Sequence, residues 1–263
     1  MCGIVGYIGK EQAAPILLDG LAKLEYRGYD SAGIAIFDGE DIDIVKAKGR
    51  LQTLKDMTAD GQNVKGTLGI GHTRWATHGV PCRENAHPHY SSSGTLSLIH
   101  NGIIENYASL KEKLIEHGYT FVSETDTEVL VQLIEYYKIT YQLDLLSAVQ
   151  RALAQVIGAY AIAVLDRSNP DEIIAARKSS PLAIGLGDGE FFLASDATPL
   201  VEYTHKVIYV DDDEIAVINR HSGVNIVTLQ GQSVSPEVSE VTLDLGAIEK
   251  GGYEHFMLKE INE

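Results

Sequence analysis

Cys2 is the residue whose chemistry depends most on its place in the chain. If Met1 is removed, one residue carries both a thiol and a free α-amine. The amine titrates at about 7.7–8.0 and the thiol at about 8.5, so the amine can take the thiol proton near neutrality. That is a nucleophile with its own base. The plainer reading is a small buried residue opening a strand. A polar stretch follows, with Gly-His-Thr-Arg-Trp-Ala-Thr-His-Gly at 71–79 and Asn-Ala-His-Pro-His at 85–89. Arg74 offers a forked donor for a carboxylate, and Trp75 offers a cover. Five of the nine histidines lie between positions 72 and 100. A metal-dependent hydrolase built on them stays open, because neutral imidazole is a common ligand. Against it, the spacing matches no zinc template and Cys82 has no cysteine nearby to pair with.

Two further words could carry chemistry. In His-Asn-Gly-Ile-Ile-Glu-Asn at 100–106, the Asn101 amide beside the Gly102 N–H would suit a developing oxyanion. An ordinary Asn-Gly turn is the alternative. In Ser-Glu-Thr-Asp-Thr-Glu-Val at 123–129, Asp126 could hold an ammonium group, or only complement the dipole of a helix start. The segment Tyr26-Arg27-Gly28-Tyr29-Asp30 reads first as a connecting turn.

The elements that must position these residues are short. Residues 4–8 read as a strand and 14–24 as an amphipathic helix. Strands at 33–37 and 42–45 flank an Asp38-Gly39 turn. Strands at 67–72 and 95–100 bracket the polar stretch, and a loop of that length in a compact domain is usually functional or disordered. Helices are expected at 107–117, after a capping box at 125–128, and from the N-cap Asp144 to Gly158. Short β runs follow at 161–165, 173–176, 182–186, 191–194, 207–210, 215–218 and 225–229. After about residue 233 the chain is acidic and weakly patterned. Many strands with clustered helices suggest two sheets covered by helices.

The chain has 263 residues and a formal net charge of −16, with 44% hydrophobic residues. These are globular values. The acidic balance argues against nucleic acid or an anionic membrane as partner. Two cysteines make no disulfide scaffold. No apolar run is long enough to cross a bilayer, and the N-terminus does not read as a secretory signal. The cytoplasm is the expected compartment. There is no P-loop and no strand-bound G-x-G-x-x-G, so nothing supports a dinucleotide site, and no cofactor is expected.

Taken in order, the words at 1–6, 24–33, 71–79, 85–89, 100–106 and 123–129 resemble the class II glutamine amidotransferases, an N-terminal-nucleophile family. Trp-Ala-Thr at 75–77, where other members carry Tyr-Ser-Thr, resembles the branch that aminates a sugar phosphate. The resemblance implies an α+β fold, a four-layer αββα sandwich of two antiparallel sheets over residues 1–240. Residues 241–263 would be a tail, or the start of a linker to a sugar-phosphate isomerase half that is absent here. It implies L-glutamine as substrate, with fructose 6-phosphate engaged only through that other half, and a homodimer at full length. Cys2 would be the nucleophile, and Asn101 and Gly102 the oxyanion hole. Arg74, Thr77 and His78 would hold the glutamine carboxylate, Asp126 its ammonium, and Trp75 would lie in a lid. Arg27, Tyr29 and His87 match the family's words near the site, and no metal is implied. A glutamine-binding module without turnover is the remaining alternative.

Overall fold

The computed structural model describes residues 2–241. The expectations about Met1 and about a linker after residue 241 lie outside them. The strands form two sheets in which every registered pair is antiparallel. The first runs in the order β15 (Val238–Glu240), β11 (Lys206–Tyr209), β9 (Ala183–Leu186), β10 (Phe191–Ala194), β1 (Gly3–Ile8), β4 (Leu68–Arg74), β2 (Ser31–Phe37), β3 (Ile42–Lys48). The second runs β14 (Ser233–Val234), β13 (Gly223–Thr228), β12 (Glu214–Asn219), β8 (Glu172–Lys178), β7 (Gly158–Asp166), β6 (Leu96–Ile104), β5 (His89–Tyr90).

Side chains alternate across a strand, so a strand covered on both faces is apolar throughout. In β1, Ile4 and Ile8 point between the sheets, where they meet Ile99, Ala161 and Leu165 of the second sheet. Val5 and Tyr7 point the other way, into a core with α1 (Ala13–Leu24) and α2 (Leu51–Thr58). A third core lies outside the second sheet, under α3 (Tyr107–Glu116), α4 (Asp126–Thr140) and α5 (Leu145–Leu153). Three cores between four layers make the αββα sandwich that the resemblance implied.

Several local expectations are corrected. β6 does not stop at His100. It continues through Asn101 and Gly102, which pair with Ala161 and Tyr160, so the Asn-Gly step is strand and not turn. The capping box is half formed. The Thr125 hydroxyl accepts the Glu128 N–H, but the Glu128 carboxylate reaches past the cap to the N–H groups of Val122 and Ser123. α5 ends at Leu153, not near Gly158. α2 was not read from the sequence, because it is a short helix with only Leu51, Leu54 and Thr58 buried. The stretch after residue 233 adds an edge strand to each sheet, β14 on β13 and β15 on β11.

Candidate active site

The register of the first sheet sets the nucleophile's surroundings. Gly3 lies opposite Thr73, so the residue before β1 meets the residues that end β4. The Trp75 N–H donates to Cys2 Sγ at 3.2 Å, and the thiol faces the Trp75 carbonyl at 3.6 Å. Burial raises the thiol pKa, while the Trp75 N–H and nearby Arg74 pull it back and Asp30 pushes it up. A thiol with a raised pKa stays protonated near neutrality and needs a base before it can attack.

Asn101 comes from the other sheet. Its Nδ2 donates to the Cys2 carbonyl at 3.0 Å, and its Oδ1 lies 2.9 Å from His72 Nε2. Gly102 has φ +135°, and a Cβ there would sit 2.0 Å from the Ala159 carbonyl oxygen, so only glycine fits. Asp126 opens α4. Its Oδ2 accepts the Ile104 N–H at 2.8 Å, which ties the helix start to β6 beside Asn101.

Arg74 is buried at the end of β4. Its Nη2 donates to the carbonyls of His78 and Gly79, and its buried Nη1 has no hydrogen-bond partner among the described residues. A buried cation that only carbonyl oxygens hold among the described residues leaves a place for an anion. Both carbonyls belong to the segment after Trp75, so the guanidinium also shapes the loop. Asp30 grips the same loop by accepting the Ala76 N–H. The His78 ring packs edge-on to Tyr107 at 5.0 Å.

These residues line one cleft of about 290 Å³. Its walls include Cys2, Arg74, Trp75, Thr77, His78, Asn101, Gly102 and Asp126, and also Arg27 and His87. Tyr29 is not in the wall. It packs edge-on to the Trp75 ring at 5.4 Å and so backs the cover. Arg27 pairs with Asp196 and donates to the Ser195 carbonyl, which anchors it at the rim. Ser180 and Pro181 also line the cleft and carried no signal in the sequence, being an ordinary Ser-Pro step.

The histidine-rich stretch is a buried network. His87 Nδ1 accepts the His100 N–H at 3.2 Å, and its Nε2 meets the Thr127 hydroxyl at 3.3 Å. That hydroxyl lies 3.0 Å from His100 Nδ1, and His89 Nε2 meets Thr125 Oγ1 at 3.1 Å. Burial lowers the pKa of His87 and His89 well below the usual value, lowers that of His100, and brings His72 to about 3. Neutral rings bonded to hydroxyls and main chain form scaffolding. Among the described residues, no three His, Cys, Asp or Glu side chains are placed to share a metal ion.

The glutamine amidotransferase domain profile matches residues 41–242. The glutamine–fructose-6-phosphate aminotransferase (isomerizing) of Bacteroides thetaiotaomicron is 64% identical over the whole chain, which covers 43% of that protein. The enzyme of the same name from Caldanaerobacter subterraneus subsp. tengcongensis is 54% identical, with 42% of it covered. The chain thus spans about two-fifths of the length of these relatives. Among solved structures, glutamine phosphoribosylpyrophosphate amidotransferase from B. subtilis superposes with a TM-score of 0.75 at 31% identity, over 87% of this chain and 49% of that one. Profile, relatives and fold agree, and the chain belongs to the glutamine amidotransferase family of enzymes.

Proposed function

We propose that this chain is a glutaminase that splits the side-chain amide of L-glutamine at Cys2. The observation that carries the reading is the convergence, on one small cleft, of a thiol, an amide donor, a carboxylate and a guanidinium whose Nη1 has no hydrogen-bond partner among the described residues. Arg74, with Thr77 and His78, holds the substrate carboxylate. Asp126 holds its ammonium, and Trp75 covers it with Tyr29 behind. Arg27 and His87 position the rim and floor.

In this reading Met1 is removed and the freed α-amine takes the Cys2 proton. The thiolate attacks the amide carbon, and the oxygen becomes an anion facing Asn101 Nδ2 and the Gly102 N–H. Stabilising charge only as it develops is what lowers the barrier. The amide nitrogen takes the proton back from the ammonium and leaves as ammonia, and a glutamyl thioester remains. Water, deprotonated by the amine, attacks the thioester. Glutamate leaves and the thiol is restored.

The relatives named as fructose-6-phosphate aminotransferases support a wider role. In a longer protein the ammonia would aminate fructose 6-phosphate on an isomerase half, in a homodimer and in the cytoplasm. Residues 1–240 would be the glutaminase domain. Among the described residues no helix is long and apolar enough to cross a membrane. The test supplies glutamine with and without fructose 6-phosphate and measures glutamate and glucosamine 6-phosphate separately. Glutamate alone, at a rate independent of the sugar phosphate, is expected. No glutamate under either condition would overturn the glutaminase reading, and amino sugar from this chain alone would overturn the division into halves.

A further inference from the structure

We infer that His72 is a positioning residue for the oxyanion hole: as an Nε2–H tautomer it fixes the Asn101 amide so that Nδ2 faces the Cys2 side of the cleft. The inference rests on the reading of Asn101 given above and deepens it.

The geometry decides the tautomer. His72 Nε2 lies 3.1 Å from the main-chain carbonyl of His100 and 2.9 Å from the Asn101 side chain. A main-chain carbonyl can only accept, so Nε2 must carry the proton. Burial keeps the His72 ring neutral, so Nδ1 is then bare, which agrees with its being buried with no hydrogen-bond partner among the described residues. A donor at Nε2 requires an acceptor on Asn101, so Oδ1 faces His72 and Nδ2 faces the Cys2 carbonyl at 3.0 Å. The flipped amide would set its NH₂ against the Nε2 hydrogen and its oxygen against the Cys2 carbonyl. Nδ2 has two hydrogens, so one stays available to a developing oxyanion.

The placement explains why this job falls to His72. It is on β4 opposite Ile4 and Gly33, with its side chain directed between the sheets. There it bridges from the sheet that carries the nucleophile to the sheet that carries Asn101. The ring is held flat by His87, stacked at 4.1 Å and 16°. A Cβ on Gly33 would sit 2.2 Å from the His87 carbonyl oxygen, so glycine in β2 lets that stack approach.

A double-mutant cycle on the chain with Cys2 as its first residue tests the inference. Asn101→Ala is expected to lower kcat by about 10²- to 10³-fold. His72→Leu should lower kcat at least tenfold with glutamine KM little changed. In the Asn101→Ala background it should cost nothing further, because its effect passes through Asn101. His72→Gln, which returns a donor to the same place, should recover most of the loss. Equal losses from His72→Leu in both backgrounds would overturn the inference and leave the reading of Asn101 intact. An unchanged kcat in Asn101→Ala would overturn the oxyanion reading itself. If His72→Leu does not fold, ¹⁵N NMR of histidine-labelled unmutated chain decides, with the His72 signal assigned by its loss in His72→Gln. A protonated Nε2 and bare Nδ1 are expected, and a bare Nε2 would overturn the inference.

Discussion

The Asn101 carboxamide donates to the main-chain carbonyl of Cys2 at 3.0 Å, across the gap between the two sheets. The nucleophile and the group assigned to its oxyanion therefore come from different sheets, and the packing between the sheets sets their distance. Ile4 and Ile99, in the core between them, are part of the positioning apparatus.

The two cysteines should behave differently. Cys2→Ala is expected to abolish glutamine turnover while glutamine still binds. Cys82→Ser should leave turnover within a few-fold, because Cys82 does not line the cleft and a serine oxygen can still accept the Asn85 N–H that the sulfur accepts. A thiol-reactive glutamine analogue, located by peptide mass spectrometry, should label Cys2. Label on Cys82 would move the nucleophile.

Gly102 should tolerate no side chain. Gly102→Ala adds a Cβ 2.0 Å from the Ala159 carbonyl at φ +135°. The expected result is a loss of about 1–3 kcal/mol of stability from backbone strain, with greatly reduced kcat. Urea unfolding and steady-state kinetics on the same sample check both. Normal stability and turnover would remove the steric argument.

The substrate clamp is tested at its two charges. Losing one charge-assisted contact costs about 1.5–3 kcal/mol, or roughly ten- to over a hundredfold in capture of glutamine. Arg74→Ala and Asp126→Asn should each lower kcat/KM by that amount. Asp126 also accepts the Ile104 N–H, so its variant separates two roles. A lower melting temperature with unchanged KM would leave it only the helix-start role.

The buried histidines predict a dependence of stability on acid. Their folded pKa values are depressed by burial, so near pH 6 the unfolded chain binds protons that the folded chain does not. Each such proton lowers stability by about 1.4 kcal/mol per pH unit below an unfolded pKa of about 6.5. Their contribution is fully present above that value and is lost as pH falls. Urea unfolding between pH 7.5 and 5.5, above the range where carboxylates titrate, should show a steep loss. A flat profile would mean that the histidines titrate in the folded protein as they do in the unfolded chain, and a rise in stability on acidification would mean that they are charged when folded.

Much of this was legible in the sequence, for uneven reasons. The two-sheet architecture could be read because strands such as residues 4–8 and 161–165 are apolar on both faces. The cleft residues could be read because Cys2, Arg74, Asn101 and Asp126 lie in words that, taken in order, resemble those of the class II glutamine amidotransferases. Asn101-Gly102 misled as a turn, since only the neighbouring strand at Ala159–Ala161 forces the glycine to stay in register. The histidine cluster suggested ligands, because sequence spacing does not reveal that Thr125 and Thr127 would receive the rings. Ser180 and Pro181 carry no local signal and reach the cleft only through tertiary packing.

The central claim is that Cys2 acts with its own freed amine as base. The most direct measurement compares glutamate production by two samples of the chain, one retaining Met1 and one beginning at Cys2, with the N-terminal residue of each established by mass spectrometry. The account predicts turnover only from the form beginning at Cys2, because a peptide bond to Met1 removes the base from a thiol whose pKa burial has already raised. Equal turnover by both forms would contradict it.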